Sequence, residues 1–334
     1  MPATALDIGT YSIKAIVGST GQKIDVKTIA EAYNNTGVAV PTDDASIDKL
    51  TRLLEAVFTE HKLPVSDVRL ALPETVVSTK VISIPPLTDA ELASAISWQA
   101  EQYIPIPPDD LALEYEVLER PGKGSNQPMK VLLVGVRKQV IERYVAILNA
   151  LGIEPSIIES QMLSIIRSLG FENGDPPTLV AHIGAGSMHL SVINKAIPEV
   201  VFSHLSGGAL LNKALEQNLG LDGAQAEQYK CSFGLEESQF EGKVRAALLP
   251  TVGLLSAEIK KTQQFFNSSS PQDPIKRVVV TGGTALLPGL VQHLAQEIGL
   301  EVLVAAPFAS ASGSIPQQIN QPAMAVCMGL LSRE

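Results

Sequence analysis

Cysteine is almost missing from this 334-residue chain. Cys231 and Cys327 are the only two, too few for a disulfide framework or a thiolate metal site and in keeping with a reducing compartment. Aromatic residues are scarce at 4%, which argues against a platform for stacking bases or sugars. Positive charge is in deficit: 25 Lys plus Arg stand against 35 Asp plus Glu, for a formal net charge of -10. The cationic footprint of a nucleic-acid binder is therefore missing. No stretch reaches the ~18 consecutive apolar residues of a membrane span. The chain runs from Met1-Pro2 straight into a strand-like ATALDIG, without the basic and apolar regions of a secretory leader. It ends in LLSRE with no Lys-rich amphipathic tail. The expectation is a cytoplasmic protein that inserts no segment of its own into a membrane and reaches one only through a partner.

What is present is material for a core. Hydrophobic residues make up 45% and charged residues 18%, and the length gives a prior of about two domains. Helical periodicity predicts a helix over 46–62 (Ile47, Leu50, Leu53, Leu54, Val57 and Phe58 on one face). It predicts another over 88–103, opened by a Thr88/Glu91 capping box and a Leu87/Leu92 staple, with Leu92, Ile96 and Tyr103 as its buried stripe. Further helices are expected at 138–151, 207–219, 241–266 (kinked at Pro250) and 287–298, with Gly152, Gly220 and Gly299 as caps. Strands are expected at Thr4–Ile8, Ile13–Val17, Ile24–Ile29, Val68–Leu72, Val76–Ile84, Leu113–Leu118, Val131–Val136, Leu179–Ile183, Leu190–Ile193, Val200–Phe202 and Val278–Thr281. The alternation describes an α/β protein with mixed sheets. Loops are expected at Arg120–Gln127, Glu172–Pro177, Asn267–Pro274 and Ser310–Gln321.

An internal repeat organises these elements. Ala5-Leu6-Asp7-Ile8-Gly9-Thr10-Tyr11-Ser12 aligns with Val180-Ala181-His182-Ile183-Gly184-Ala185-Gly186-Ser187 at a spacing of 175 residues. Each is a strand, a glycine turn with a serine, and a second apolar strand, as a duplicated architecture requires. Tips of this composition turn backbone N–H groups toward one point and bind phosphate oxygens; read singly, each is more often an ordinary hairpin. Lys14 is placed to reach a phosphate, and Asp7 to hold a Mg2+ ion through water. Val278–Thr281 followed by Gly282-Gly283-Thr284 reads as a strand and a glycine turn before a helix, where a base or phosphate can approach the backbone. Gly207-Gly208 precedes another helix and is a further candidate for contacting a nucleotide.

Two phosphate hairpins, a Gly-Gly-Thr turn and a closing Ala/Gly-rich helix (Pro322–Leu331) resemble the actin-like ATPase superfamily. Trp98-Gln99-Ala100-Glu101-Gln102-Tyr103-Ile104-Pro105-Ile106-Pro107, Leu113–Leu118, Val131–Arg137, Gly152-Ile153-Glu154-Pro155 and Leu205–Lys230 narrow the resemblance to the PilM family of type IV pilus assembly proteins, itself similar to FtsA. The resemblance implies two duplicated lobes around a nucleotide cleft: 1–65 with 153–175 and 322–334, and 176–220 with 275–321. It adds an inserted subdomain at 66–152, with four strands, and a helical one at 221–274. It implies ATP or ADP with Mg2+, bound by Asp7, Gly9, Thr10, Ser12 and Lys14 and by Gly184, Ala185 and Gly186. Glu227 and Lys230 would face ribose and adenine, and Gly282, Gly283 and Thr284 the adenosine. Glu159 would sit on a connecting helix and address the attacking water.

The resemblance also implies an adaptor recruited to the inner membrane by the N-terminal peptide of PilN, in a pilus or type II secretion assembly. Other pilus proteins, the assembly motor ATPase and self-association are further partners it allows. An FtsA-like filament and a sugar-type kinase are the alternatives. Trp98 is either a partner-facing aromatic or a core residue. One position departs from the family: the second hairpin usually begins with Asp, and here it is His182. A neutral imidazole cannot order a metal as a carboxylate does, so hydrolysis is expected to be slow or absent.

Overall fold

The computed structural model describes residues 2–122, 125 and 127–333; the expected loop Arg120–Gln127 lies partly outside them. The chain opens with a meander, β1 (Ala3–Ile8), β2 (Ser12–Gly18) and β3 (Asp25–Tyr33), followed by α1 (Asp44–Glu60) and β4 (Val68–Leu72). Every residue of β1 is buried, which is why it reads as a continuous apolar run: it has a strand on each side and helices on both faces. Helix α1 starts two residues before the periodicity suggests, because Asp43 forms a capping box with Ser46.

The inserted unit contains β5 (Val77–Ile84), α2 (Asp89–Glu101), β6 (Leu111–Glu119), β7 (Met129–Arg137) and α3 (Lys138–Ala150). Its sheet has three strands, in the order β5-β7-β6, where four were expected. The fourth, Val68–Leu72, pairs in parallel with β1; a fully apolar strand finds its burial in the larger sheet. Leu92, Ile96 and Ala100 of α2 pack on Ile82, Ile84, Met129, Val131 and Leu133. The Thr88/Glu91 capping box forms as expected, but Tyr103 falls beyond the helix end and is 42% exposed. Helix α3 returns the chain to the first sheet, where Tyr144 packs with Leu50, Leu54 and Val140.

Then come β8 (Pro155–Ser160) and α4 (Gln161–Ser168), and the motif repeats: β9 (Thr178–Ile183), β10 (Met188–Asn194), β11 (Ile197–His204), α5 (Gly208–Leu219), α6 (Gly223–Phe233), α7 (Lys243–Ser269), β12 (Arg277–Thr281), α8 (Leu290–Ile298) and β13 (Glu301–Val304). Helix α7 runs on through Pro250 without ending there. The chain closes with β14 (Ser312–Gly313), inside the expected loop Ser310–Gln321, and α9 (Ala325–Ser332). Helix α9 is apolar on every face and buried along most of its length, against β1 and α4.

The duplication is complete at the level of sheets. One has the order β14-β3-β2-β1-β4-β8, the other β11-β10-β9-β12-β13. Leaving out the edge strand β14, each strand of one has its counterpart in the other. In both, an antiparallel hairpin leads into two parallel partners. Strands β8 and β13 were not expected, being short and half-exposed.

Candidate functional site

Both hairpins close in the same way. Gly9 N–H donates to the Ser12 carbonyl at 3.0 Å, and Gly184 N–H to the Ser187 carbonyl at 2.9 Å. The tips meet: a Cβ built on Gly186 would lie 3.0 Å from Thr10 Oγ1. Between them and the neighbouring turns is a cavity of about 510 Å³, within the range of small-molecule sites. Asp7, Gly9, Thr10, Ser12 and Lys14 line it from the first sheet; Gly184, Ala185, Gly186, Gly208, Glu227, Lys230, Gly283 and Thr284 line it from the second half.

Two expected residues stand behind the wall instead. A Cβ on Gly207 would lie 2.5 Å from the Gly184 carbonyl oxygen and 2.6 Å from that of Ala185. This glycine lets the start of α5 reach the hairpin, where the N–H groups of Gly208 and Ala209 donate to those two carbonyls, each at 2.9 Å. Gly282 has φ +89 and would place a Cβ 2.5 Å from the Ile183 carbonyl oxygen, so it too is a close-approach position. Gly283 has open space around its Cβ position and faces the cavity.

Asp7 is buried. Lys14 Nζ lies 3.4 Å from its Oδ2, and Gln161 Nε2 donates to Oδ1 at 2.6 Å. Across the cavity, Lys230 and Asn212 each donate to Glu227 Oε2 at 2.6 Å. Burial pushes the Glu227 carboxyl up, but these bonds outweigh it and hold it below the usual carboxylate range. Cys231, on the same helix, is pushed up to about 11 by burial and the Glu227 charge, so it stays a thiol.

The expectation for Glu159 is corrected. Residues 155–160 form strand β8 rather than a helix. The Glu159 carboxylate is held by Arg167 at 2.6 Å and by Arg333 at 2.9 Å, and it is not among the cavity-lining residues. A carboxylate tied to two guanidiniums is a structural anchor. The polar residue that reaches the cavity is Gln161, two positions on, where the strand turns into α4. No local signal distinguished the two. Tyr11, Glu31, Asn212, Cys231 and Asn320 also line the cavity and were not singled out from sequence.

His182 lines the cavity, 8% exposed. Burial, and secondarily Lys14, lower its pKa to about 3, so it is neutral, and its Nδ1 has no partner among the described residues. It cannot repel a cation strongly, nor order one as an aspartate does. Among the described residues no three His, Cys, Asp or Glu side chains gather into a metal cage. One buried carboxylate would suit an ion such as Mg2+ only together with phosphate oxygens, since that ion is bound through one or two carboxylates plus phosphates and keeps several waters.

The model of the type IV pilus assembly protein PilM matches residues 5–333. The chain belongs to this family. A solved structure described as the PilM-PilN type IV pilus biogenesis complex has a chain 22% identical, with a TM-score of 0.85 over 99% of this chain and 98% of that one. The ethanolamine utilization protein EutJ from Carboxydothermus hydrogenoformans matches at 16% identity, TM-score 0.60, over 99% and 89%. MreB 5 of Spiroplasma citri bound to AMPPNP matches at 14% identity, TM-score 0.57, over 98% and 94%. The fold is that of the actin-like ATPases. No described helix of this PilM family member is long and apolar enough to cross a membrane.

Trp98 lies on α2 and is 62% exposed, so it is a surface residue of the inserted unit.

Proposed function

We propose that this PilM family member binds ATP or ADP, with Mg2+, in the cavity between the two hairpins, and serves as a cytoplasmic adaptor at the inner membrane. Asp7 would hold the ion through water, Lys14 and the hairpin N–H groups the phosphates, and Glu227 with Lys230 the ribose and base side. The observation that carries this is the convergence of two duplicated hairpin tips and the open Gly283 turn on one cavity of about 510 Å³. MreB 5, with the same fold, was solved with AMPPNP.

Titration calorimetry with Mg-ATP tests it. Wild type should bind saturably, and Gly283→Glu should lose binding at least about tenfold, ~1.4 kcal/mol. A carboxylate there fills the space that the missing side chain leaves. Equal affinity for both proteins overturns the site. Turnover should be far below the median enzyme's ~10 per second, because His182 stands where a metal-ordering carboxylate is needed.

The partner reading is that a PilN-like membrane protein offers its N-terminal peptide to the inserted unit, with Trp98 on the receiving surface. A chain of this family solved as the PilM-PilN complex supports it. Fluorescence anisotropy with a labelled PilN-type N-terminal peptide should show binding that Trp98→Ala weakens without altering the melting temperature, since the ring is exposed. Unchanged affinity removes Trp98 from that surface.

A further inference from the structure

The two hairpin serines, Ser12 and Ser187, occupy the same position in the repeat, yet their neighbours differ. Two residues on from Ser12 is Lys14, whose ammonium only donates. Two residues on from Ser187 is His189, and Ser187 Oγ lies 2.8 Å from its Nε2. On the far side of the ring, His189 Nδ1 lies 3.0 Å from Ser203 Oγ, which donates to the Glu74 carbonyl at 3.5 Å. Glu74 lies on the side of Ser203 away from the ring, so Ser203 can turn its proton there and accept from Nδ1–H; in that tautomer Nε2 is bare and accepts the proton of Ser187. The ring is 2% exposed and stacked on His182, centroids 6.0 Å apart at 12°. Nucleophile, base and orienting group stand in a row, with the nucleophile on the cavity wall.

We propose that Ser187 is a phosphoryl acceptor: with ATP in the cavity, its hydroxyl takes the γ-phosphoryl group, and His189 takes the hydroxyl proton. The proposal rests on the nucleotide reading above. Oγ of Ser187 bonds to the γ-phosphorus, the bond from that phosphorus to the β–γ bridging oxygen breaks, and ADP leaves. The proton passes to Nε2 and from there to water. Burial, then His182 and His204, lower His189 to about 3, so the imidazole is present in its neutral, accepting form. A weak base suffices because the loose transition state of phosphoryl transfer keeps the hydroxyl proton until late, when the oxygen bonded to phosphorus is itself a strong acid. The second hairpin lacks a carboxylate to order water, and Ser187 is the hydroxyl there that faces a base.

Two measurements decide it. In the nucleotide-free protein, nitrogen-15 NMR of the imidazoles should show His189 protonated at Nδ1 and bare at Nε2, and Ser203→Ala should shift that tautomer balance. A ring protonated at Nε2 overturns the proposal. Incubation with Mg-ATP followed by peptide mass spectrometry should place one phosphoryl group on Ser187. Ser187→Ala should abolish it, and His189→Gln should slow it on the order of 10²-fold, each compared with wild type at saturating ATP. Phosphate on Thr10 or Ser12, or none despite measured ATP binding, overturns the proposal and leaves the nucleotide reading standing. Absence of ATP binding overturns both.

Discussion

Asp7 and Lys14 face each other across the first hairpin, 3.4 Å apart. At the matching place in the second, His182 faces His189, and the two rings stack. The same backbone thus carries an ion pair on one side of the cavity and two neutral imidazoles on the other. Their bracing differs as well. The first turn is held by Asn34, whose Nδ2 donates to the carbonyls of Gly9 and Val38 and whose backbone N–H donates to the Tyr11 carbonyl, all at 2.8 Å. The second is braced by backbone from the start of α5. A duplicated scaffold fixes where a hairpin tip points; the residues at two cross-strand positions decide what chemistry it offers.

The largest expected effect breaks the second brace. Gly207→Ala puts a methyl against the carbonyls of Gly184 and Ala185, which are backbone and cannot swing aside. It should cost about 3 kcal/mol, read as a lowered urea midpoint, with nucleotide binding lost as the hairpin shifts. Gly207→Ala with wild-type stability shows that α5 does not brace the turn. Next is the first brace. Asn34→Ala removes the donor from two half-buried carbonyls and should cost about 1–2 kcal/mol. If the first hairpin is the more loosely held of the two, its amide exchange should rise while that of the second stays put; a uniform rise denies the independence of the two braces.

The smallest effect is a pH dependence that belongs to the second hairpin only. His182 and His189 have folded pKa values of about 3, below the ~6.5 of an unfolded His. Between those values the unfolded chain binds more protons, so stability is complete above pH ~6.5 and falls as pH drops toward 3. Each ring should remove about 2 kcal/mol by pH ~5. His182→Gln should flatten the fall between pH ~7.5 and ~5 by that amount, measured by urea unfolding at both. Glu74 acts in the opposite sense. Burial pushes its carboxyl up, so its stabilising contribution is present at low pH and is lost as pH rises through its folded value. An unaltered pH profile in His182→Gln denies that this ring is buried neutral.

The hairpins were legible in the sequence because each is contiguous: strand, glycine turn and strand occur within fifteen residues, and the repeat displays the pattern twice. The Thr88/Glu91 box was legible for the same reason. Val68–Leu72 was correctly read as a strand but placed in the wrong sheet, since its pattern states how buried it is and not beside what. Glu159 and Gln161 could not be separated, because the strand–helix junction between them decides which one turns inward. Tyr103 fell outside its helical stripe because the helix ends at Glu101, before that residue's turn.

The sequence by itself determined the local pieces: caps, hairpins, the apolar strands, the family to which the chain belongs, and the imidazole where an aspartate is usual. Those depend on neighbours a few residues apart. Only the tertiary structure decided that Arg333 neutralises Glu159, that Gly207 exists to let α5 touch the second hairpin, and that Ser187, His189 and Ser203 form a row ending at Glu74. Those contacts join residues from separate strands and helices. Such side chains acquire a partner only once the core has fixed the elements that carry them.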